Sequence, residues 1–416
     1  MNCSCKLLAA TFLTVTLCVL SSTIATPNEA AHSAVEVSPS VKLTVALYPY
    51  VPRRDQFQAA ITAAWNAKHP KITLVFEDHN FYDEDPPTSV DVFVFDAILL
   101  DYFQAQGFLA PIQDREVEDL PDFLSYAIKG SRIGQKLYGI PQLGCSDLLF
   151  FRKGDEELAK ATTLSALVRA VGEDTYTGNQ PPPGKGLLVD LSSKTGDACF
   201  YVEALENIFG LYTSTPPLPP QANSIDPWAI QNVHTLLRMA SKEDATYSSD
   251  AQPYQRGTWF GQGLGRALVG FPETMSAMGD AGRSSVQFKF LPLSDRTGAS
   301  LFYVDIVGIN SSTVRNHKRA LALELANMMA SKKVMLQSIG PSGNVTYPQY
   351  LMPVRASVFR DLSRQFPLYR RMHGLVSSAT PHLFRLGPTS RKWLTDMKKT
   401  IQEEIMQPPV CATPSQ

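Results

Sequence analysis

One thiol and one carboxylate in this sequence could do chemistry together. Cys145 lies in "YGIPQLGCSDLLFFRKGD", on a turn between two apolar runs, with no disulfide partner nearby. Glu273 follows "ALVGFP", so that Phe271 and Pro272 precede it. The thiolate is the nucleophile, so a catalytic cysteine needs a base. A free thiol titrates near about 8.5 and a glutamate near about 4.3, so glutamate can serve only if burial raises its pKa. The apolar approach to Glu273 meets that requirement. None of the seven histidines stands at a telling position, which makes a carboxylate the expected partner of Cys145.

The redox context sharpens the case for a free thiol. Lys6 precedes the apolar run Leu7–Leu20, and Ser21–Ala25 ends in small residues, so residues 1–25 read as a signal peptide, with a signal anchor as the alternative. The run falls short of the ~20 residues a membrane span needs. Residues 26–40 are small and polar, a disordered lead-in. Of six cysteines, Cys3, Cys5 and Cys18 leave with the signal, and Cys145, Cys199 and Cys411 remain. Three is odd, so at least one thiol stays free or pairs between chains. Cys199 shares helical spacing with Val202 and Leu205 and reads as a small buried residue. Cys411 lies in the Pro-rich tail, and a Cys145–Cys411 or Cys199–Cys411 bridge stays open at this level. Exposed thiols oxidise outside the cell, so an exported protein that keeps one usually has a chemical use for it.

The elements that must position these groups alternate between strand and helix. "KLTVALYPYVP" begins as a strand, and Asp55 is placed to cap a helix with Phe57, Ile61, Ala64 and Trp65 on its apolar face, stopped by Pro70. "ITLVFED" is a second strand. "DVFVFDAILL" opens as the continuous apolar run expected of a strand covered on both faces. Helical patterns dominate from Lys318 onward. The fold class is therefore α/β. In such sheets ligands collect beyond the carboxyl ends of the strands. Asp96, Glu273, Tyr48, Tyr50 and Cys145 fall at such ends, and Asp305 interrupts the apolar run "LFYVDIVGI". Each alone has a structural account, a helix cap or a solvated loop residue. Their shared edge argues for a site.

Other chemistries have little support. There is no H-E-x-x-H, paired C-x-x-C or G-x-S-x-G, and the glycine-rich "GQGLGRALVG" precedes a strand and carries Arg266 where a dinucleotide fingerprint needs glycine. Neither a metal nor an organic cofactor is expected. With 38 basic against 39 acidic residues and no basic stripe, nucleic acid and anionic membranes are not expected partners. The partner should be a small molecule.

Six segments, in order, carry a family resemblance: "VALYPYVP", "DVFVFDAILLDYFQAQGFLAPI", "YGIPQLGCSDLLFFRKGD", "PPPGKGLLVDL", "YQRGTWFGQGLGRALVGFPETMSAMGD" and "YPQYLMPVR". They resemble thiaminase I, the thiamine pyridinylase family, from about Lys42 to about Leu394. The resemblance implies the two-lobed, type II periplasmic-binding-protein-like architecture with a ligand cleft between lobes. Residues 41–142 and 306–408 would then form lobe I with the C-terminal helices, residues 143–305 lobe II, and 409–416 a flexible tail. The cysteine of the family's "PQ-x-x-C" segment, here Cys145, adds to the pyrimidine ring of thiamine, and the glutamate before "MGD", here Glu273, is its base. Addition lets the ring expel neutral thiazole from the methylene carbon, which an amine or thiol then attacks as the cysteine leaves. Asp96 and Asp305 match family carboxylates at the pyrimidine, and Tyr48, Tyr82, Tyr254 and Tyr303 match cleft tyrosines. By analogy with this architecture, a monomer is expected.

The sequence departs from the family in two places within the site. Phe271 stands where tyrosine is typical, and Asp147 where asparagine is expected, an added charge that would raise the Cys145 pKa. The sequons at Asn310 and Asn344 also raise N-glycosylation of a secreted eukaryotic enzyme. A non-catalytic thiamine- or pyrimidine-binding protein is the alternative reading, and a thiamine analogue as true substrate is a third. Cys145 together with Glu273 favours the enzyme, since a receptor needs neither nucleophile nor base.

Overall fold

The computed structural model describes residues 41–173, 175–192, 194–210, 225–248, 252–296 and 300–407. The signal peptide, the lead-in, the 409–416 tail and Cys411 lie outside the described residues.

The chain opens with strand β1 (Lys42–Ala46), which buries every residue after Lys42. The helix Arg54–Lys68 follows, with Phe57, Ile61 and Trp65 buried at helical spacing. Arg53 holds its N-cap position, so Asp55 sits in the first turn and not at the cap, where its charge still complements the helix dipole. Strands β2 (Thr73–Glu77) and β3 (Val92–Asp96) both pair parallel to β1, and β3 is buried along its whole length. This is the strand–helix–strand unit expected from the sequence.

Further along come the short hairpin of β4 (Arg132–Ile133) and β5 (Lys136–Leu137), then β6 (Ile140–Cys145), β7 (Leu148–Arg152), β8 (Pro183–Leu188), β9 (Gly265–Gly270), β10 (Val286–Phe290), β11 (Leu301–Ile309), β12 (Met352–Pro353) and β13 (His382–Leu383). The larger sheet runs β12-β6-β11-β3-β1-β2, with β13 against β11. The smaller runs β10-β7-β9-β8. Neither sheet is purely parallel. β11 returns antiparallel to both β3 and β6, and β7 is antiparallel to β9 and β10. The chain leaves the larger sheet after Cys145 and re-enters it at Leu301. Only Ser146 and Asp147 link β6 to β7 in the other sheet, so Cys145 sits where the chain passes between sheets.

The two sequons differ in the fold. Asn310 is buried, its Nδ2 donates to the Pro87 carbonyl (3.0 Å) and its Oδ1 accepts from the Ser312 N–H (2.9 Å). A glycan cannot be attached to that nitrogen without breaking the fold, so the Asn310 expectation is corrected. Asn344 is exposed, between the bridged residues Ser342 and Val345.

Candidate active site

Strand register assembles the first half of the site. Asp305 pairs directly with Asp96 across β11 and β3, and Tyr303 with Cys145 across β11 and β6. Opposed residues of an antiparallel pair project to one face, as do residues i and i+2 of one strand. Asp96, Asp305, Tyr303 and Cys145 therefore share a face. Cys145 is the last residue of β6, one step short of the turn on which the sequence reading placed it. Ser146 fixes that exit by donating to the Leu301 carbonyl (2.8 Å). Gly144 is required beside it, because a Cβ there would run into the Tyr126 hydroxyl.

The smaller sheet delivers the glutamate. β9 ends at Gly270, paired with Leu148 at the start of β7, and the chain turns at once into the 3-10 segment Pro272–Ala277. Glu273 thus emerges beside the Ser146–Asp147 link. A side chain at Gly270 would press on Thr274 Oγ1 at 2.8 Å and push this turn away. Tyr254, at the start of the helix Gln255–Gly261, lies within electrostatic range of Glu273 and Cys145.

Tyrosines line the opposite side. Tyr82 donates from its hydroxyl to Asp96 Oδ2 (2.8 Å) and meets the Tyr48 hydroxyl at 3.1 Å. The half-exposed Tyr50 ring lies 5.6 Å from that of Tyr48 and 6.0 Å from that of Tyr82. Tyr303 stacks on Phe384 (4.8 Å between centroids) and faces Phe271 edge-on (6.0 Å).

The electrostatics of the pocket are one-sided. Burial pushes the Cys145 thiol well above its ordinary value, and Glu273, Asp147, Asp305 and Asp96 all push it further. Burial also lifts Glu273 to about 7, with help from the charge of Asp147. Asp96 is raised by burial to about 6, restrained by bonds from the Ile98 N–H and from Tyr82. Burial and the facing Asp96 push Asp305 up strongly. A thiol in this setting is held protonated.

All eight residues singled out from the sequence, Cys145, Glu273, Asp96, Asp305, Tyr48, Tyr82, Tyr254 and Tyr303, are brought into one cluster by strand pairing, hydrogen bonds and electrostatic reach. Two were missed. Glu203 and Cys199 belong to the helix Lys194–Phe209, and the charges of Asp96 and Asp147 both bear on Cys199. Cys199 is a free, half-buried thiol, not the sealed core residue its spacing suggested. The available signal was acid on a buried helix, since Asp197, Glu203 and Glu206 are all buried there.

A half-buried thiol, a raised glutamate and a group of acids and tyrosines are brought together in an α/β chain whose fold is that of the two-lobed solute-binding proteins. The fold alone is shared with maltose-bound MalE3 of T. maritima (16% identity, TM-score 0.61, covering 87% of this chain and 99% of that one). More specifically, the Thiaminase-1 domain family model matches residues 146–294, nearly the stretch between departure from the larger sheet and return to it. Thiaminase-1 of Paenibacillus thiaminolyticus is 37% identical over 379 residues, 90% of each chain. Thiaminase I of Clostridium botulinum, solved in complex with thiamin, is 37% identical with a TM-score of 0.82, covering 88% of this chain and all of that one. The chain belongs to the thiaminase I family.

Proposed function

We propose that this protein is a thiaminase I: it cleaves thiamine by exchanging the thiazole for another nucleophile, with Cys145 as the attacking thiol and Glu273 as its base. The observation that carries the assignment of roles is the pairing of a half-buried free thiol with a glutamate raised to about 7, among charges that are otherwise acidic. A glutamate near neutrality can accept a thiol proton that an ordinary carboxylate could not hold. Such a pocket also selects its substrate. Acids and tyrosine faces attract a cation, and the thiazolium ring of thiamine carries a fixed positive charge. That charge works on the nucleophile too, offsetting the acids and lowering the thiol pKa only when substrate is present.

The chemistry then follows from the groups at hand. Glu273 takes the thiol proton, and the Cys145 thiolate adds to the pyrimidine ring beside the methylene-bearing carbon. Asp305, held protonated by burial, and Asp96, raised only to about 6 and so largely ionised at neutral pH, hydrogen-bond the aminopyrimidine and exchange protons with its ring nitrogen as charge builds there. The ring electrons expel the thiazole, which departs neutral with the carbon–nitrogen bonding pair. An amine or thiol co-substrate attacks the methylene carbon, loses its proton, and Cys145 is eliminated. No cofactor enters this scheme. Residues 1–25 are proposed as a signal peptide that directs the enzyme out of the cell, as a monomer. The lobe division near 143 and 305 is part of this proposal, with the passages between sheets falling after Cys145 and before Leu301.

The test is incubation of the purified protein, with Cys145→Ser beside it, with thiamine and an aromatic amine. Thiazole release by the wild type alone, with a pyrimidine adduct on Cys145 when amine is withheld, is the expected result. Tight thiamine binding by both proteins without thiazole release would leave a binding protein.

A further inference from the structure

The reaction as written makes no use of two carboxyl groups that touch each other behind the nucleophile. Asp147, two residues beyond Cys145 in the link between sheets, is 2% exposed, and Glu203, reaching in from the helix Lys194–Phe209, is fully buried. Their side chains meet. The Tyr303 hydroxyl donates to Asp147 Oδ2 at 3.4 Å, and Tyr303 is the cross-strand partner of Cys145. Neither Glu203 oxygen accepts from an N–H or O–H donor in ordinary hydrogen-bond geometry, and the backbone of Leu301 is what favours its charge. Two ionised carboxylates in contact and out of water would each bear a large desolvation cost and repel the other. A single proton held between them removes both penalties and supplies the missing donor.

The surroundings reinforce this. Cys145 on β6, Tyr303 on β11, Cys199 on the same helix and Glu273 after β9 face the pair, and none brings a positive charge. One turn along the helix, Glu206 is engaged by His382.

We propose that Asp147 and Glu203 share one proton, and that this acid pair is a positioning device for the reaction, holding Tyr303 beside Cys145 and setting the charge that Glu273 meets. The proposal rests on the reading of Cys145 and Glu273 as nucleophile and base. The pair carries one negative charge in total, part of it on Asp147, where it bears on both groups. Burial raises both carboxyls, Asp147 to about 6, while their contact pushes Glu203 further up and Asp147 down, as sharing with the proton resting mainly on Glu203 requires.

The two members then predict opposite effects. Asp147→Asn removes the nearer charge, so the acid limb of the kcat/KM profile moves down by about one pH unit. Glu203→Gln replaces the shared proton with an amide donor and leaves a full charge on Asp147, so the limb stays where it is or moves up. The same ordering is expected in the pH dependence of Cys145 alkylation, read without substrate. Asparagine is the residue that the family resemblance leads one to expect at 147, so Asp147→Asn should fold, and Asp147→Ser repeats the test if it does not. Shifts in one direction for both variants, or loss of thermal stability with unmoved profiles, would overturn the proposal and leave a packing contact. Thiazole release that persists in Cys145→Ser or Glu273→Gln would instead sink the underlying reading of the site.

Discussion

The Asp96 end and the Glu273 end of the site are built on opposite electrostatic terms. On the larger sheet, Asp96 has a donor for each oxygen: the Ile98 N–H reaches Oδ1 at 2.9 Å and the Tyr82 hydroxyl reaches Oδ2 at 2.8 Å. Asp96 also caps the short 3-10 turn Ala97–Leu99, so the structural account of a strand-end acid and the functional one hold together. On the smaller sheet's side, Glu273, Asp147 and Glu203 are buried among one another with few donors. A satisfied carboxyl holds its geometry and suits binding. An unsatisfied one is poised to take or give a proton, which suits chemistry.

The sharpest way to break this contrast is at the reacting groups. Cys145→Ser should lower kcat by ~10⁴-fold or more while thiamine still binds, because the covalent step is lost and the acid-lined pocket is not. Glu273→Gln should cost ~10²- to 10⁴-fold, the usual worth of a general base. Thiamine affinity by calorimetry should stay within about threefold for Cys145→Ser. A parallel collapse of binding would mean that the thiol side also holds the ligand, and the division of labour would fail.

The donor-poor side should also show in stability. A carboxyl whose folded pKa is raised binds more protons folded than unfolded, so its contribution is full below the unfolded value and lost as pH rises through the folded one. For Glu273 that window runs from about 4.5 to about 7, and for Asp96 and Asp147 from about 3.8 to about 6. The Glu273 shift alone corresponds to roughly 3 kcal/mol. Acids held low, such as Glu116, pushed to about 2 by its bond from Arg319, act in the opposite sense only at lower pH. The Tm of the ligand-free protein should therefore fall between pH 5 and 8, and Glu273→Gln should flatten the fall. A flat or rising Tm in the wild type would contradict the burial of these acids.

The donor-rich side predicts smaller losses, in binding. Asp96→Asn removes a charge-assisted acceptor and should weaken thiamine binding by about 10- to 100-fold. Tyr82→Phe removes one donor to Asp96 and its link to Tyr48, and about tenfold is expected. Both should raise KM more than they lower kcat. The reverse split would move Asp96 from the binding to the reacting groups.

What was legible in the sequence follows the same division. Cys145, Glu273 and Asp96 lie at strand ends or beside them, and strand ends can be read from local apolar runs. Asp305 stood out because a carboxylate inside "LFYVDIVGI" needs a reason, but its partner could not be read. That pairing needs β11 to return antiparallel over some 200 residues of chain, a tertiary fact with no local signature. Glu203 was hidden for a related reason. Its helix has both acids and apolar residues buried, since it packs against the helices Pro227–Met239 and Ser390–Ile405 as well as the site. Periodicity, which detects one apolar face against one wet face, has nothing to report there. Asn310 shows the converse, since a sequon is legible while its burial is not.

The gentlest probe adds a donor to the side that lacks one. The Phe271 ring is partly exposed and lies 6.0 Å from that of Tyr303, just before Glu273 in the chain. Phe271→Tyr keeps the ring and adds one hydroxyl at the border of the acid cluster. The exposed edge leaves room for it, so stability should change by less than ~0.5 kcal/mol. If the hydroxyl reaches an acid, it favours the ionised form, and the acid limb of kcat/KM should move down by a few tenths of a pH unit. Turnover at neutral pH should stay within about threefold, because neither nucleophile nor base is touched. A tenfold gain would instead mean that the missing hydroxyl had been limiting catalysis, and that the donor-poor side is a defect of this chain and not a device.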